Sequence, residues 1–164
     1  MRQIVLIAHN LRSAHNVGSL LRTAEGLGVS VILTGYTPYP KTVDDKRLPH
    51  EAIRADKQIS KVSLGAEKTL AWRRQEDIKA VLEDLHHDGF TIAALEQAEG
   101  SLSLPDFKPP DKLALIVGRE VEGIESAVLD SCDLILEIPM SGHKESFNVA
   151  QAAAMALYHC RYIS

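Results

Sequence analysis

The sequence predicts an α/β fold, a mostly parallel sheet flanked by helices. Three observations carry this. Short apolar runs rich in Val, Ile and Leu recur along the chain, as expected of strands buried on both faces. Segments with helical apolar spacing alternate with them, which indicates parallel βαβ units. Small or polar residues stand where the runs end, and open α/β sheets bind ligands at such strand ends. A length of 164 residues suits one domain, 1–164.

The predicted elements follow in order. Ile4 to Ala8 mark a first strand at 3–8; the run is too short for a signal peptide. In 16–27, Val17, Leu20, Leu21, Ala24 and Leu27 fall at helical spacing, and Gly28 can close the end. A second strand is predicted at 30–34. The stretch from Tyr36 to Trp72 then breaks the rhythm. It carries Pro38, Pro40 and Pro49, many Lys and Arg, and few clear apolar periods. So long a connection is uncommon unless functional. A helical excursion near 49–57 and a short strand near 59–63 are expected within it. Ile78, Val81, Leu82 and Leu85 mark a helix in 75–88, followed by Gly89. Strands at 91–95, 113–117 and 134–138 alternate with a helix at 123–130. Residues 97–111, with Pro105, Pro109 and Pro110, read as a loop. A final alanine-rich helix is expected at 146–161; its alanines would let a neighbouring strand or a second subunit come close, and, too apolar to lie in solvent, it is placed at a subunit interface with the helix that starts at Asn16.

The composition is that of an ordinary globular domain, 45% hydrophobic and 24% charged. No apolar run approaches the ~20 residues of a membrane span. Two cysteines, Cys132 and Cys160, without metal-ligand spacing suit a reducing cytoplasm. The net charge of −4 is unevenly spread. Residues 1–74 hold 12 Lys+Arg against 6 Asp+Glu, and residues 75–164 hold 6 against 16. Phosphate binding needs a local basic face rather than a basic protein. The Tyr36–Trp72 segment, with Lys41, Lys46 and Arg47, is the expected basic surface.

Three segments carry candidate chemistry. In His15–Arg22, Asn16 stands where an N-cap is expected. Gly18 permits close approach of another backbone or a ligand. Arg22, one step from Leu21, is expected near the inner face of its helix. There it would need a carboxylate, as in an internal salt bridge, or an anion such as phosphate. In Leu113–Ile124 a buried strand ends at Gly118, with Arg119, Glu120 and Gly123 before a helix. Glu120 could serve the helix N-terminus, or bind a hydroxyl, a cation or Arg22. In Ile138–Ala150 a strand, a Pro-Gly loop and a helix follow one another, with Ser146 a candidate N-cap. No Walker loop, dinucleotide fingerprint, serine elbow, H-E-x-x-H or paired C-x-x-C is present. His86-His87 fall on a solvent-facing helix surface, where metal ligation is not expected.

Taken together, N-x-G-x-x-x-R at 16–22, I-V-G-x-E-x-x-G at 116–123 and I-P-M-x-G-x-x-x-S-F-N-V at 138–149 resemble the three ordered motifs of the SPOUT superfamily. The resemblance is to its TrmH (SpoU) branch of RNA 2'-O-ribose methyltransferases, and it extends from about residue 4 to 162. The family usually has Ser-Leu-Asn where this chain has Ser146-Phe147-Asn148; Phe keeps the apolar character. The resemblance implies an α/β fold with a C-terminal trefoil knot, a homodimer, and S-adenosylmethionine as methyl donor. It implies RNA as substrate, with transfer RNA favoured because no RNA-binding extension is present. Gly118, Glu120, Ile138, Met140, Ser146 and Phe147 would hold the donor. Arg22, Asn16, Glu120, Ser146 and Asn148 would face the reacting ribose. Ribosomal RNA, methylation of a base nitrogen, and a catalytically silent RNA-binding dimer are the alternatives.

Overall fold

The computed structural model describes residues 1–163. Seven strands form one sheet: β1 (Gln3–His9), β2 (Ser30–Thr34), β3 (Trp72–Gln75), β4 (Thr91–Leu95), β5 (Leu102–Ser103), β6 (Lys112–Val117) and β7 (Leu134–Glu137). Their order is β3-β2-β1-β6-β4-β7-β5, and every pairing is parallel. The predicted fold class is therefore the observed one. The helices are α1 (Ala14–Leu27), α2 (Pro49–Ser63), α3 (Ala66–Thr69), α4 (Ile78–His87), α5 (Ser126–Leu129) and α6 (Val149–Tyr162).

Each face of the sheet has its own core. Leu6, Ala8, Leu33, Leu113 and Leu115 point toward α1, α2 and α6, meeting Leu20, Leu21, Ile59, Ala153 and Leu157. Ile7, Ile32, Ile92, Ala114 and Ile116 point the other way, toward α4 and α5. Burial on both faces is why these strands are continuously apolar. Each fully buried Leu or Ile contributes about 1.5–3 kcal/mol relative to exposure.

Several boundaries differ from the sequence reading. α1 begins at Ala14, and its N-cap is Ser13, whose hydroxyl accepts from the Asn16 N–H. Asn16 thus lies inside the first turn, with its side chain released from capping. α6 begins at Val149 and is capped by Asn148, whose Oδ1 accepts from the Ala150 N–H at 2.9 Å; Ser146 is not the cap. The strand expected at 59–63 does not form. Pro49 starts α2, and Ala52, Ile59 and Ser63 give it a buried side that holds it helical to Ser63. β3 was not visible beforehand because it is an edge strand carrying Arg73 and Arg74, both exposed, rather than an apolar run. The loop at 97–111 contains β5 and a 3-10 turn at Leu104–Asp106.

The last helix also closes the first. The buried Arg161 guanidinium donates to the carbonyls of Leu27 at 2.9 Å, Gly28 at 2.8 Å and Arg2 at 2.6 Å. The first two satisfy carbonyl groups at the α1 C-terminus that no helical N–H can reach, and the third ties α6 to the residue before β1. The alanine side of α6 is spent within the chain: Ala150, Ala153 and Ala156 are buried, and α6 packs along α1 of the same subunit. This corrects the expectation that the alanines themselves form a subunit interface. The outward side of α6 carries Met155, Tyr158 and Tyr162, at 38%, 56% and 61% exposure.

Candidate active site

β1 connects outward to β2, whereas β6, its other neighbour, leads across to β7. Beside this reversal, the carboxyl ends of β4, β6 and β7 frame a cleft of about 190 Å³. Its floor is apolar, with Leu95, Val117, Leu136 and Ile138. Its rim is the loop from Gly118 to Gly123 on one side and Ser146 and Phe147 on the other. Gly118 has no room for a side chain: a Cβ there would stand 2.5 Å from Ile124 Cγ1 and 3.0 Å from the Gly123 carbonyl. The tight fold of that loop around the strand end requires glycine.

Glu120 ties the rim to α1. Its Oε1 accepts from the Ser13 N–H at 3.1 Å and from Asn16 Nδ2 at 3.0 Å, and its Oε2 accepts from the Arg12 N–H at 3.2 Å. The carboxylate thus occupies the positive end of the α1 dipole. Burial pushes its pKa up, but these hydrogen bonds outweigh burial and hold it below the ordinary value. Glu120 does not meet Arg22. Asn16 extends the chain, its Oδ1 accepting from Asn148 Nδ2 at 3.2 Å. One line of polar contacts, Asn148–Asn16–Glu120, therefore joins the three sequence motifs across 132 residues.

Arg22 is elsewhere. It is exposed, on the outer ridge of α1 with His15 and Ser19, not near the inner face as expected. Six residues past Asn16, it stands roughly 9 Å farther along the helix. Of the predicted donor residues, Gly118, Glu120, Ile138, Ser146 and Phe147 line the cleft; Met140 is half-buried outside the lining.

A second polar cluster escaped the sequence reading. His9, 5% exposed at the end of β1, bonds through Nδ1 to Thr34 Oγ1 at 2.8 Å, and its Nε2 lies 3.2 Å from Glu125 Oε2. Asn10 Nδ2 donates to Glu125 Oε1 at 2.9 Å. Burial holds the His9 pKa below its ordinary value against the pull of Glu125. Glu96 takes the Ile124 N–H at 3.1 Å. The loop that begins at Gly118 is thus pinned again at its far end. The only hint was a His-Asn pair directly after a strand; Asn10 sits at φ 55°, where Asn is tolerated better than most residues.

Among the described residues no group of three or more His, Cys, Asp or Glu could hold a metal ion. Among the described residues no helix is long and apolar enough to cross a membrane. Burial pushes the thiols of Cys132 up to about 11 and Cys160 up to about 12, which leaves both in the unreactive protonated form at neutral pH.

A parallel α/β sheet with a cleft at its strand ends, lined by the second and third motifs and tied to the first through Asn16, defines the class. The chain belongs to the SpoU rRNA methylase family, whose profile matches residues 3–158. It is 30% identical over 154 residues to a Staphylococcus epidermidis protein provisionally classed as a TrmH family tRNA/rRNA methyltransferase. That match covers 94% of this chain but 56% of the relative, so the chain spans about half of that protein's length. The fold matches the SpoU methyltransferase AviRb of Streptomyces viridochromogenes, solved with AdoMet, at a TM-score of 0.79 and 23% identity, covering 96% of this chain and 56% of that one. It also matches a solved protein concerned with 2-OH methylation of C/U34 on tRNA, at a TM-score of 0.76 and 25% identity, covering 97% and 94%.

Proposed function

We propose that this protein transfers a methyl group from S-adenosylmethionine to a ribose 2'-hydroxyl of RNA in the cytoplasm, with transfer RNA the favoured substrate. The observation that carries this reading is the Asn148–Asn16–Glu120 line, which assembles three distant motifs at the edge of one cleft. The cleft suits a nucleoside: an apolar floor for a base, a glycine turn that brings backbone close, and Phe147 at the rim. The likeness to the protein of 2-OH methylation on tRNA, which covers 97% of this chain and 94% of that one, favours transfer RNA over ribosomal RNA.

In this reading Gly118, Ile138, Ser146 and Phe147 hold the adenosyl part, and Met140 stands behind them. Bound there, S-adenosylmethionine would supply an electrophilic methyl group. Glu120 acts indirectly. Both its oxygens are engaged, so its part is to fix Asn16 and the loop, and Asn16 with Asn148 and Ser146 then faces the ribose. For the 2'-oxygen to take the methyl, the donor's S–CH3 bond would break with its electron pair left on sulfur, and the hydroxyl proton would pass to bulk water. A guanidinium stays protonated and cannot accept that proton. Arg22 therefore grips the neighbouring phosphate and steadies the developing oxyanion.

Arg22 meets the cleft only across the outer surface of α1. Met155, Tyr158 and Tyr162 of α6 form an exposed apolar stripe of the kind that marks an interface. We assign this stripe to a homodimer contact that sets Arg22 beside the partner's cleft. The C-terminal segment is further proposed to form the trefoil knot of SPOUT proteins.

The test is methyl transfer to bulk transfer RNA, followed by nuclease digestion and mass analysis for a ribose-methylated nucleoside. Arg22→Ala should lower turnover about 10²–10³-fold, the loss typical of one oxyanion donor, while donor affinity stays unchanged. A base-methylated product would refute the ribose assignment. RNA binding without any methyl transfer would identify a silent RNA-binding protein instead.

A further inference from the structure

Among the elements of the long connection between β2 and β3, α2 has a side that the donor cleft does not use. His50, Arg54, Lys57 and Lys61 recur at spacings of four, three and four residues, so they lie on one line. All four are exposed, on the side opposite the buried Ala52, Ile59 and Ser63. Among the described residues none of the four takes part in an ion pair or a side-chain hydrogen bond of the chain, although seven ion pairs form elsewhere. A helix surface that is merely solvated gains from mixing signs at these spacings. Like charges at Arg54–Lys57 and Lys57–Lys61 repel instead. The arrangement works against the free helix, and no contact in the chain compensates it.

The stripe spans roughly 17 Å along the helix. Its position relates it to the candidate catalytic arginine. α1 and α2 touch at Gly18, where a Cβ would lie 2.6 Å from the Ile59 carbonyl oxygen. Arg22 is one helical turn beyond Gly18, on the outward ridge of α1. The same crossing that needs glycine thus packs α2 against α1 through the buried side of α2, on the face of the sheet that also carries Arg22, and leaves the basic stripe on the outward side of α2. By contrast, Arg47, expected to contact phosphate, is already engaged. It is paired with Asp45 at 2.5 Å, donates to the Tyr39 carbonyl at 3.0 Å and lies 3.5 Å over the Tyr39 ring.

We infer that the outward stripe of α2 is the docking track for the phosphate backbone of the RNA that flanks the target nucleotide. This rests on the RNA substrate proposed above and names the surface that binds it. Three cations on one helical line suit a strand of regularly spaced phosphates, read for its backbone and not for its bases. The acidic balance of residues 75–164 keeps the rest of the surface unfavourable and so restricts the register.

The test compares two triple variants of the full chain. One is Arg54→Gln, Lys57→Gln, Lys61→Gln. The other, Lys79→Gln, Lys108→Gln, Lys112→Gln, removes the same charge from exposed positions in the acidic half. Binding of a transfer-RNA transcript is measured by fluorescence anisotropy from low to moderate salt, and S-adenosylmethionine binding by calorimetry. The α2 variant should reduce the slope of log affinity against log salt by about 2–3, because about 0.7–0.9 counterions are released per phosphate contact. It should raise KM for RNA with kcat and donor affinity unchanged. The control should change none of these. Equal slopes for wild type and the α2 variant, or an equal fall in both variants, overturn this surface while leaving the methyltransferase reading intact. A wild-type protein that binds and methylates no RNA overturns both.

Discussion

The two ends of the sheet are built on different principles. Around β6, β4 and β7 the loops are tied down by side chains: Glu120 to the start of α1, Glu125 to His9 and Asn10, Glu96 to Ile124. Around β2 and β3 the exposed surface is basic, and much of its charge is left without a partner inside the chain. Pinned carboxylates preorganise a cleft for a small ligand, whose reacting atom must be placed closely. Free cations suit a long polyanion, which is held by its charge and tolerates variable contacts. In the proposed function, the chain thus separates placing the methyl donor from gripping the substrate.

That division can be broken from either side. The largest effect is expected beneath both regions. Ala153 is completely buried between α6 and the sheet, so Ala153→Glu should destabilise the chain by about 4 kcal/mol or more and yield insoluble protein. A soluble variant with a normal melting curve would show that α6 does not sit there.

Next comes the latch. Asn16→Asp sets a second carboxylate against Glu120, 3.0 Å from the present amide nitrogen. Donor affinity should fall at least tenfold at neutral pH and recover partly as the pH is lowered toward 5, where one carboxylate can protonate. The salt slope of RNA binding should not change. Equal donor affinity in variant and wild type would detach Glu120 from the cleft.

The acid dependence follows from the same group. Glu120 titrates below its ordinary value when folded. Its contribution to stability is therefore complete above the unfolded value of about 4.3 and is lost as the pH falls through the lower folded value. Glu120→Gln should remove that part of the acid sensitivity. Denaturant midpoints for both proteins, measured from pH 6 to 3, should converge on acidification; parallel curves would contradict the assignment.

The smallest effect sharpens the contrast within the basic region. Arg47→Ala should lower Tm by a few degrees, since Asp45 and Tyr39 lose their partner, yet leave RNA affinity nearly unaltered. Lys46→Ala should do the reverse, with Tm unchanged and RNA affinity down about two- to threefold. Thermal melts and anisotropy on the two variants decide it.

The sheet was legible because a strand buried on both faces must be apolar throughout, as in Leu6–Ala8 and Leu113–Val117. β3 was illegible for the complementary reason: at the edge, Arg73 and Arg74 need bury nothing. The motif segments were legible as a set, but their hydrogen bonds were not. That Ser13 caps α1, freeing Asn16 for Glu120 and Asn148, depends on where a helix begins, and that boundary was two residues off. Arg22 was misplaced because one step along a helix is a rotation of ~100°, enough to carry a side chain from the core to solvent.

The Arg161 contacts bear on how the protein comes into being. A chain emerging residue by residue can form β1 and α1 early, but the carbonyls of Leu27, Gly28 and Arg2 wait for a guanidinium more than a hundred residues later. Asn148 arrives at Asn16 with the same helix. Contacts so distant in sequence form slowly and late in folding. Completion of the fold and completion of the cleft are therefore a single event, and a nascent chain stalled before α6 has neither.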